Sequence, residues 1–243
     1  KFDVTAPANQ VEDGFEQITD YKKAEKVLDQ AKESTCVGAV IFQNTENVLP
    51  LFANEAAIGG IGLCFDEEHA YCIEVTEQIT KEFLLEKLSK LNESCGRFVM
   101  FDIKEAMKWL PIKNQKHCFD ATVAAYLLNP LKNDYTYEDV AREQLNIVIE
   151  EKSEAYVKVC YEAYTAFKGS DLLYKKLEET QMLHLFEDIE MPLVFTLYDM
   201  ERNGIRAEGE ALKVYSSQLG GRISELEKEI YEMAGESFNI NSP

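Results

Sequence analysis

Residues 36–46, CVGAVIFQNTE, form the first strongly apolar run of the chain, and this run ends abruptly in polar residues. Residues 37–42 are a short and nearly continuous run of the β type, which is typical of a strand buried on both faces. The polar residues 43–46 then stand where such a strand leaves its sheet. Because sites in open α/β sheets are built where strands end, we expect the functional site at this point.

Further β-type runs follow at residues 58–65, 70–75 and 97–101. The first two are joined by an acidic turn, which predicts an antiparallel hairpin. An amphipathic helix is predicted over 76–91, and a short strand or turn at 118–120 precedes a helix over 121–128. This order predicts a mixed α/β sheet flanked by helices rather than a doubly wound parallel sheet.

Helical patterns surround these strands. Residues 1–18 are aperiodic and predict an extended lead-in, after which Thr19 or Asp20 caps a helix. A helix at 103–110 is expected to end at Pro111. Residues 136–185 predict several helical pieces, with breaks at 146–149 and at Gly169-Ser170. Helices are then expected from Met191 to Asn203 and along an apolar stripe made by Leu212, Tyr215, Leu219, Ile223, Leu226, Ile230 and Met233.

Composition narrows the function classes. The net charge of −19 argues against tight nucleic-acid binding by this chain alone, because phosphate contacts need Lys and Arg. No run is long and apolar enough for a membrane helix and no signal peptide is visible, so we expect a cytoplasmic protein without membrane contact. The 6 cysteines are scattered without a C-x-x-C pair, which argues against a zinc site. Four of them lie in or beside apolar runs and are predicted to be reduced core thiols: Cys36, Cys64, Cys72 and Cys118. The chain begins with Lys and stops at Asn-Ser-Pro, and we expect it to be a piece of a longer protein.

Residues 190–243 include EMPLVFTLYDMERNGI and LEKEIYEMAGESFNINSP. They closely resemble the start of the polymerase region of the bacterial family A DNA polymerases. The resemblance implies a 3′–5′ exonuclease-like domain at residues 1–186 and truncated N-terminal helices of a polymerase domain, leading to its thumb, at 187–243. It also implies an RNase H-like mixed sheet, which agrees with the predicted strand order. The stretches FDATVAAYLLNP (119–130) and YEDVA (137–141) resemble the exonuclease-like domain more loosely.

The family's exonuclease holds two metal ions on carboxylates, beginning with an Asp-x-Glu pair at the end of the first strand. This chain departs from that pattern. If Thr45-Glu46 matches the family's Thr-Glu, Asn44 replaces the Asp and one residue has been inserted. Without the insertion, Gln43 and Thr45 occupy the two acidic positions. Either alignment leaves at most one charge at this motif.

The other two motifs are also altered. Ala106 stands where the second motif has its metal-binding Asp, although Lys104 of that motif is kept. The nearest alignment of the third motif, Tyr-x-x-x-Asp, places Lys158 at the Tyr and Glu162 at the Asp. Asn44, Glu46, Ala106 and Glu162 are therefore positions of a degenerate motif, and we expect no catalytic residue and no metal ligand among them.

The resemblance and these departures predict an inactive exonuclease-like domain with a structural role. No cofactor is expected for this fragment, and Mg²⁺ is expected only in the missing polymerase domain. The partners implied are the chain's own polymerase domain and, through the full-length enzyme, DNA during replication and repair. We expect the fragment itself to be a monomer.

Two alternatives remain open. The chain is an active metal-dependent 3′–5′ proofreading exonuclease if Asp102, Glu105, Asp120 and Glu46 form a rearranged site. It is a free-standing DNA-binding module if the acidic balance is overcome locally. Trp109 is predicted to pack rather than to stack on a base. The histidines, which have no grouped spacing, are expected to be structural or exposed: His69, His117 and His184.

Overall fold

A computed structural model describes residues 11–44 and 57–240. The chain divides into two compact units, one ending at Asp199 and the other beginning at Met200. The first unit holds a six-stranded sheet with helices on its faces. The predicted mixed α/β sheet flanked by helices is thereby confirmed. The division into domains at 186/187 stays a prediction.

The sheet has the strand order β1-β4-β3-β2-β5-β6. β3 pairs antiparallel with both β2 and β4, whereas the outer pairs β1–β4, β2–β5 and β5–β6 are parallel. The predicted hairpin of β3 and β4 is therefore confirmed. The strands are β1 (Phe15–Ile18), β2 (Cys36–Gln43), β3 (Ile58–Cys64), β4 (Ala70–Glu74), β5 (Arg97–Met100) and β6 (Cys118–Asp120).

Side-chain caps set the beginnings of several helices. Asp20 accepts the backbone N–H of Lys23, and Thr80 accepts that of Phe83. A 3₁₀ turn (Gln115–His117) precedes β6 and a π-helical turn (Phe186–Glu190) precedes α8. The α-helices are α1 (Tyr21–Ala31), α2 (Lys81–Ser94), α3 (Ile103–Ala106), α4 (Ala121–Leu128), α5 (Tyr137–Leu145), α6 (Ala155–Glu179), α7 (Leu183–Leu185), α8 (Met191–Asn203) and α9 (Gly209–Ala234).

Three predicted boundaries were wrong. Residues 15–18 are not a lead-in but the edge strand β1, which pairs with β4 more than fifty residues away and gives no local signal. α2 does not begin at Thr76, because the Thr76 hydroxyl accepts the N–H of Ile79 in a preceding turn. α3 ends at Ala106, ahead of the predicted end before Pro111.

The predicted break at Gly169-Ser170 is also wrong, because α6 continues through both residues. A Cβ on Gly169 would stand 3.3 Å from Cγ1 of Val140 in α5. The Ser170 hydroxyl donates to the carbonyl of Phe167 within the helix, at 2.8 Å. The glycine is therefore used for close packing of two helices rather than for ending one.

α6 lies directly across the centre of the sheet, on β2 and β3. A Cβ on Gly38 of β2 would stand 2.3 Å from the carbonyl oxygen of Ala163 in α6. A Cβ on Gly62 of β3 would stand 2.7 Å from Cγ1 of Val159. Because real Cβ atoms do not approach other atoms so closely, only glycine at these two positions lets α6 pack at this depth.

The cysteines of the first unit are free thiols, with Cys36 half-buried and the other five buried. Burial raises the pKa of Cys95, Cys118 and Cys160 to about 12. Such thiols behave as small apolar side chains of the core. This agrees with the predicted reduced core thiols.

The second unit contains the predicted long helix, α9. It ends at Gly235, whose φ of 74° is the left-handed conformation that favours glycine at a helix C-terminus. Gly204, with a φ of 63°, likewise follows the end of α8. Across residues 11–44 and 57–240, every helix is too short or too polar to cross a membrane.

The contact between α6 and β2 yields a prediction about stability. Gly38→Ala should lower the free energy of unfolding by about 1–3 kcal/mol, because the added methyl group overpacks the helix–sheet contact. The fluorescence of Trp109, the only Trp of the chain, reports unfolding of this unit during chemical denaturation. Gly169→Ala in α6 is the milder comparison within the same unit, since a Cβ there stands 3.3 Å from the nearest side-chain atom rather than 2.3 Å from a backbone oxygen. A Gly38→Ala midpoint equal to that of the unchanged chain would contradict the packing role.

Candidate functional site

A cleft of about 230 Å³ opens where β2 and β5 end, at the position expected for the site. We call it the strand-end cleft. Its wall is formed by the end of β2, by the turn and helix that follow β5, and by one residue of α6. The lining residues are Val40, Ile41, Gln43, Met100, Phe101, Asp102, Glu105, Ala106, Lys108, Trp109 and Glu162.

The end of β2 brings Gln43 into the strand-end cleft. The register of β2 against β3 shifts between Phe42 and Gln43, an irregularity of the kind that re-aims a side chain. Asn44 is exposed, and its backbone N–H donates to the carbonyl of Ala57 at 2.9 Å. Glu46 lies outside the described residues. Of the candidate positions of the first motif that the structure describes, Gln43 is the one that lines the cleft.

The turn after β5 is held by a buried carboxylate. Asp120, at the end of β6, accepts the backbone N–H of Ile103 at 2.7 Å and that of Thr122 at 2.9 Å. It also accepts the N–H of Val123 at 3.2 Å. One side chain thus joins the first turns of α3 and α4, and both of its oxygens are engaged. Burial raises the pKa of Asp120 to about 6, against the opposing effect of these hydrogen bonds.

Asp102 is the N-cap residue of α3 and accepts a backbone hydrogen bond from that helix. It adopts a φ of 51°, and its carboxylate accepts the N–H of Glu105 at 3.2 Å. The backbone N–H of Asp102 donates to the hydroxyl of Thr122 at 3.2 Å. The Glu105 carboxylate pairs with Lys108 of the same turn. Ala106 follows at the end of this short helix and places a methyl group in the cleft.

α6 contributes Glu162, which is half-buried. Burial raises the pKa of Glu162 to about 7, and the nearby negative charge of Glu138 adds to the shift. Its carboxyl group is therefore partly protonated at neutral pH. Lys158, one turn earlier, is not part of the lining, and its Nζ donates to the carbonyl of Glu151 at 2.7 Å.

Two metal ions, as the family resemblance implies, do not fit this donor set. Divalent ions of that kind need several ionised carboxylates, whereas Gln43 offers an amide and Ala106 a methyl group. Glu162 holds a proton more tightly than an ordinary carboxylate does. In the described part of the chain, no three His, Cys, Asp or Glu side chains are grouped so that they could hold a metal ion.

The remaining predicted residues are dispersed. His69 contacts Asp66 and stacks on Tyr71, whereas His184 faces Asp188 at 3.4 Å and His117 lies in the 3₁₀ turn. Trp109 lines the strand-end cleft but is not fully exposed. Glu138 was not among the predicted site residues, although its charge acts on Glu162 from another helix. Because 44 of the 243 residues are acidic, the sequence does not distinguish Glu138 from the other carboxylates as a neighbour of Glu162.

Comparison with curated proteins finds relatives that cover most of this chain. The chain is 34% identical over 203 residues to DNA polymerase I of Bacillus subtilis, which covers 73% of the chain and 22% of that protein. It is 25% identical over 244 residues to DNA polymerase I of Geobacillus stearothermophilus, covering 92% and 26% respectively. No family model matches the chain. The chain thus spans about a quarter or less of the length of these relatives.

Solved structures share the fold. The polymerase domain of Pol1 from M. smegmatis, in complex with DNA primer-template and dNTP, has a TM-score of 0.74 and 19% identity, covering 94% of this chain and 39% of that one. Brucella melitensis NrnC bound to pGG has a TM-score of 0.57 and 13% identity, covering 78% and 92%. A structure described as the apo form of a nuclease has a TM-score of 0.54 and 12% identity, with the same coverage.

The sequence comparison and the structure comparison both match this chain to DNA polymerase I over most of its length. DNA polymerase I of Geobacillus stearothermophilus and the Pol1 structure align with 92% and 94% of this chain. The chain therefore belongs to the bacterial DNA polymerase I family, as a segment of 22% to 26% of the length of these relatives.

Proposed function

We propose that residues 1–186 form a 3′–5′ exonuclease-like domain that does not hydrolyse DNA and acts as a scaffold within a family A DNA polymerase. The observation that carries this proposal is the donor set of the strand-end cleft. Gln43, Ala106 and a partly protonated Glu162 stand where hydrolysis by two metal ions would need ionised carboxylates. Removing these charges removes metal affinity and, with it, the stabilisation of the attacking and leaving oxygens.

The neighbouring carboxylates have structural tasks that argue against a rearranged metal site. Asp120 is buried, and both of its oxygens accept backbone N–H groups. Asp102 caps α3, and Glu105 pairs with Lys108. A metal ion would have to displace these backbone N–H groups and Lys108 from the carboxylates. That displacement costs free energy, whereas carboxylates without such partners would bind the ion without this cost.

The activity of the whole protein is part of this proposal. We infer that DNA synthesis, in replication and repair, and the Mg²⁺ that it needs belong to a polymerase domain outside this chain. The first unit would contact that domain and would meet DNA only through the complete enzyme, in keeping with its net charge of −19. We expect the enzyme in the cytoplasm and the 243-residue chain to be a monomer.

The loss of hydrolysis is tested directly. The purified chain, incubated with a 5′-labelled single strand and Mg²⁺ or Mn²⁺, should not shorten the strand, because the cleft cannot hold two ions. Gel electrophoresis of the labelled strand is the measurement. Glu162→Ala is the control for contaminating nucleases. Shortening that this substitution abolishes would contradict the proposal.

The geometry of the strand-end cleft should still permit a metal site once charge is restored. The double variant Gln43→Asp and Ala106→Asp, together with Glu162, should bind Mn²⁺ more tightly than the unchanged chain, because three carboxylates then face one cleft. Binding is measured by electron paramagnetic resonance of free Mn²⁺. The matched control carries Asn at both positions, which keeps shape without charge. Equal Mn²⁺ binding by both variants would show that these positions do not form one site.

The raised pKa of Glu162 predicts how stability depends on pH. In the folded chain this pKa is about 7, against an ordinary value of 4.5, so the stabilisation by its proton is present below pH 4.5 and is lost as the pH rises through 7. Glu162→Gln, which keeps a neutral side chain, should therefore raise the free energy of unfolding at pH 8 by about 1–3 kcal/mol. The gain should disappear toward pH 4.

Chemical denaturation at several pH values, followed by Trp109 fluorescence, measures this difference. Glu178→Gln on the exposed surface of α6 is the control for the same chemical change. Asp120 titrates equally in all three chains, so the difference between them isolates Glu162. A gain that is independent of pH would show that burial does not hold the proton on Glu162.

A further inference from the structure

A second and larger cavity, of about 650 Å³, lies at the opposite end of the parallel strands, where β5 and β6 begin. We call it the π-turn pocket, because its lining includes the π-helical turn Phe186–Glu190 as well as the 3₁₀ turn before β6. Its volume falls in the range of small-molecule sites. All of its lining belongs to the first unit, and none of it is shared with the strand-end cleft.

The apolar part of the π-turn pocket is aromatic. The rings of Phe119 and Phe186 pack with their centroids 4.8 Å apart, and Phe195 of α8 adds a third ring to the lining. All three are buried by the core behind them. A flat apolar group of a ligand would meet well-packed rings there rather than mobile side chains.

The cationic part of the lining is held in place before any ligand arrives. The guanidinium of Arg97 lies 4.7 Å from the ring centroid of Tyr174 and 5.7 Å from that of Phe119. Its Nη1 donates to Asp171 at 2.7 Å, which leaves further N–H donors on the same planar group. Lys116, in the 3₁₀ turn, brings a second positive charge to the lining. Together they suit a phosphate group.

One buried polar atom of the lining lacks a partner. Nδ1 of His117 is inaccessible to solvent and has no hydrogen-bond partner among the described residues. Such an atom costs free energy when it stays unsatisfied. Because Nδ1 has no accessible surface, a molecule bound in the pocket does not contact it.

The π-helical turn supplies acceptors. Glu187 and Asp188 belong to the lining, on a different segment from Arg97 and Lys116. Carboxylates accept hydrogen bonds from hydroxyl or amino groups, so this part of the pocket suits the neutral, donor-rich portion of a ligand. A π-helical turn is rare and occurs frequently at functional sites, which agrees with a binding role.

We propose that the π-turn pocket binds a nucleoside monophosphate. Its phosphate would be held by Arg97 and Lys116, its base would lie against the aromatic lining, and its hydroxyl or amino groups would donate to Glu187 and Asp188. A free phosphate satisfies only the first of these groups, and a free nucleoside only the other two. This site is separate from the strand-end cleft and does not depend on whether that cleft hydrolyses DNA.

Isothermal titration calorimetry of the 243-residue chain tests the proposal with three probes. Adenosine 5′-monophosphate should bind, whereas adenosine and ribose 5-phosphate should each bind at least about tenfold more weakly, because each lacks one recognised group. Equal affinity for ribose 5-phosphate and the nucleotide would overturn the proposal in favour of a general anion site. Absence of nucleotide binding at millimolar concentration would overturn it outright.

Two substitutions locate the binding. Lys116→Ala should weaken nucleotide binding about fivefold. Lys113→Ala should not, since Lys113 pairs with Glu93 and is not in the lining. Binding that is unchanged in Lys116→Ala but lost in Gln43→Ala would assign the nucleotide to the strand-end cleft and overturn the proposal.

Discussion

The contact between α6 and the two central strands is the constraint on which the first unit depends. Gly38 and Gly62 remove the side chains that would hold the helix away from β2 and β3, so its backbone rests on the sheet. Ala163 of α6 packs on Gly38, and the adjacent Glu162 lines the strand-end cleft. A change in the depth of this contact would shift the wall of the strand-end cleft and the core at once.

The carboxylates around the strand-end cleft show how acidic residues can serve a fold instead of a reaction. Asp120 joins the N-termini of two helices, where backbone N–H groups are otherwise unsatisfied. Asp102 does the same for α3 alone. Both oxygens of Asp120 are directed at the backbone, so it stabilises the turn after β5 without lining the cleft. A count of acidic residues near a site therefore overstates the number of oxygens available to a ligand.

Local patterns in the sequence were sufficient for much of this fold and for the position of the site. The buried strand β2, the hairpin after it and the cap at Asp20 each depend on neighbouring residues, and each was predicted. β1 was missed because its four residues become a strand only by pairing with β4. The continuity of α6 through Gly169 was missed because packing against α5 outweighs the local cost of glycine. The π-turn pocket combines segments from Gly96 to Phe195, which no local pattern connects.

The free thiols have a consequence for how the motions of this fold can be observed. They are distributed over β2, β3, β4, β6, α6 and the end of α2, and burial raises the pKa of each. A thiol held in its protonated form does not react with alkylating reagents until local opening exposes it and restores its ordinary acidity. The rates at which these thiols react with an alkylating reagent would therefore report local opening at each position. They would distinguish fraying of an edge strand from opening of the centre of the sheet.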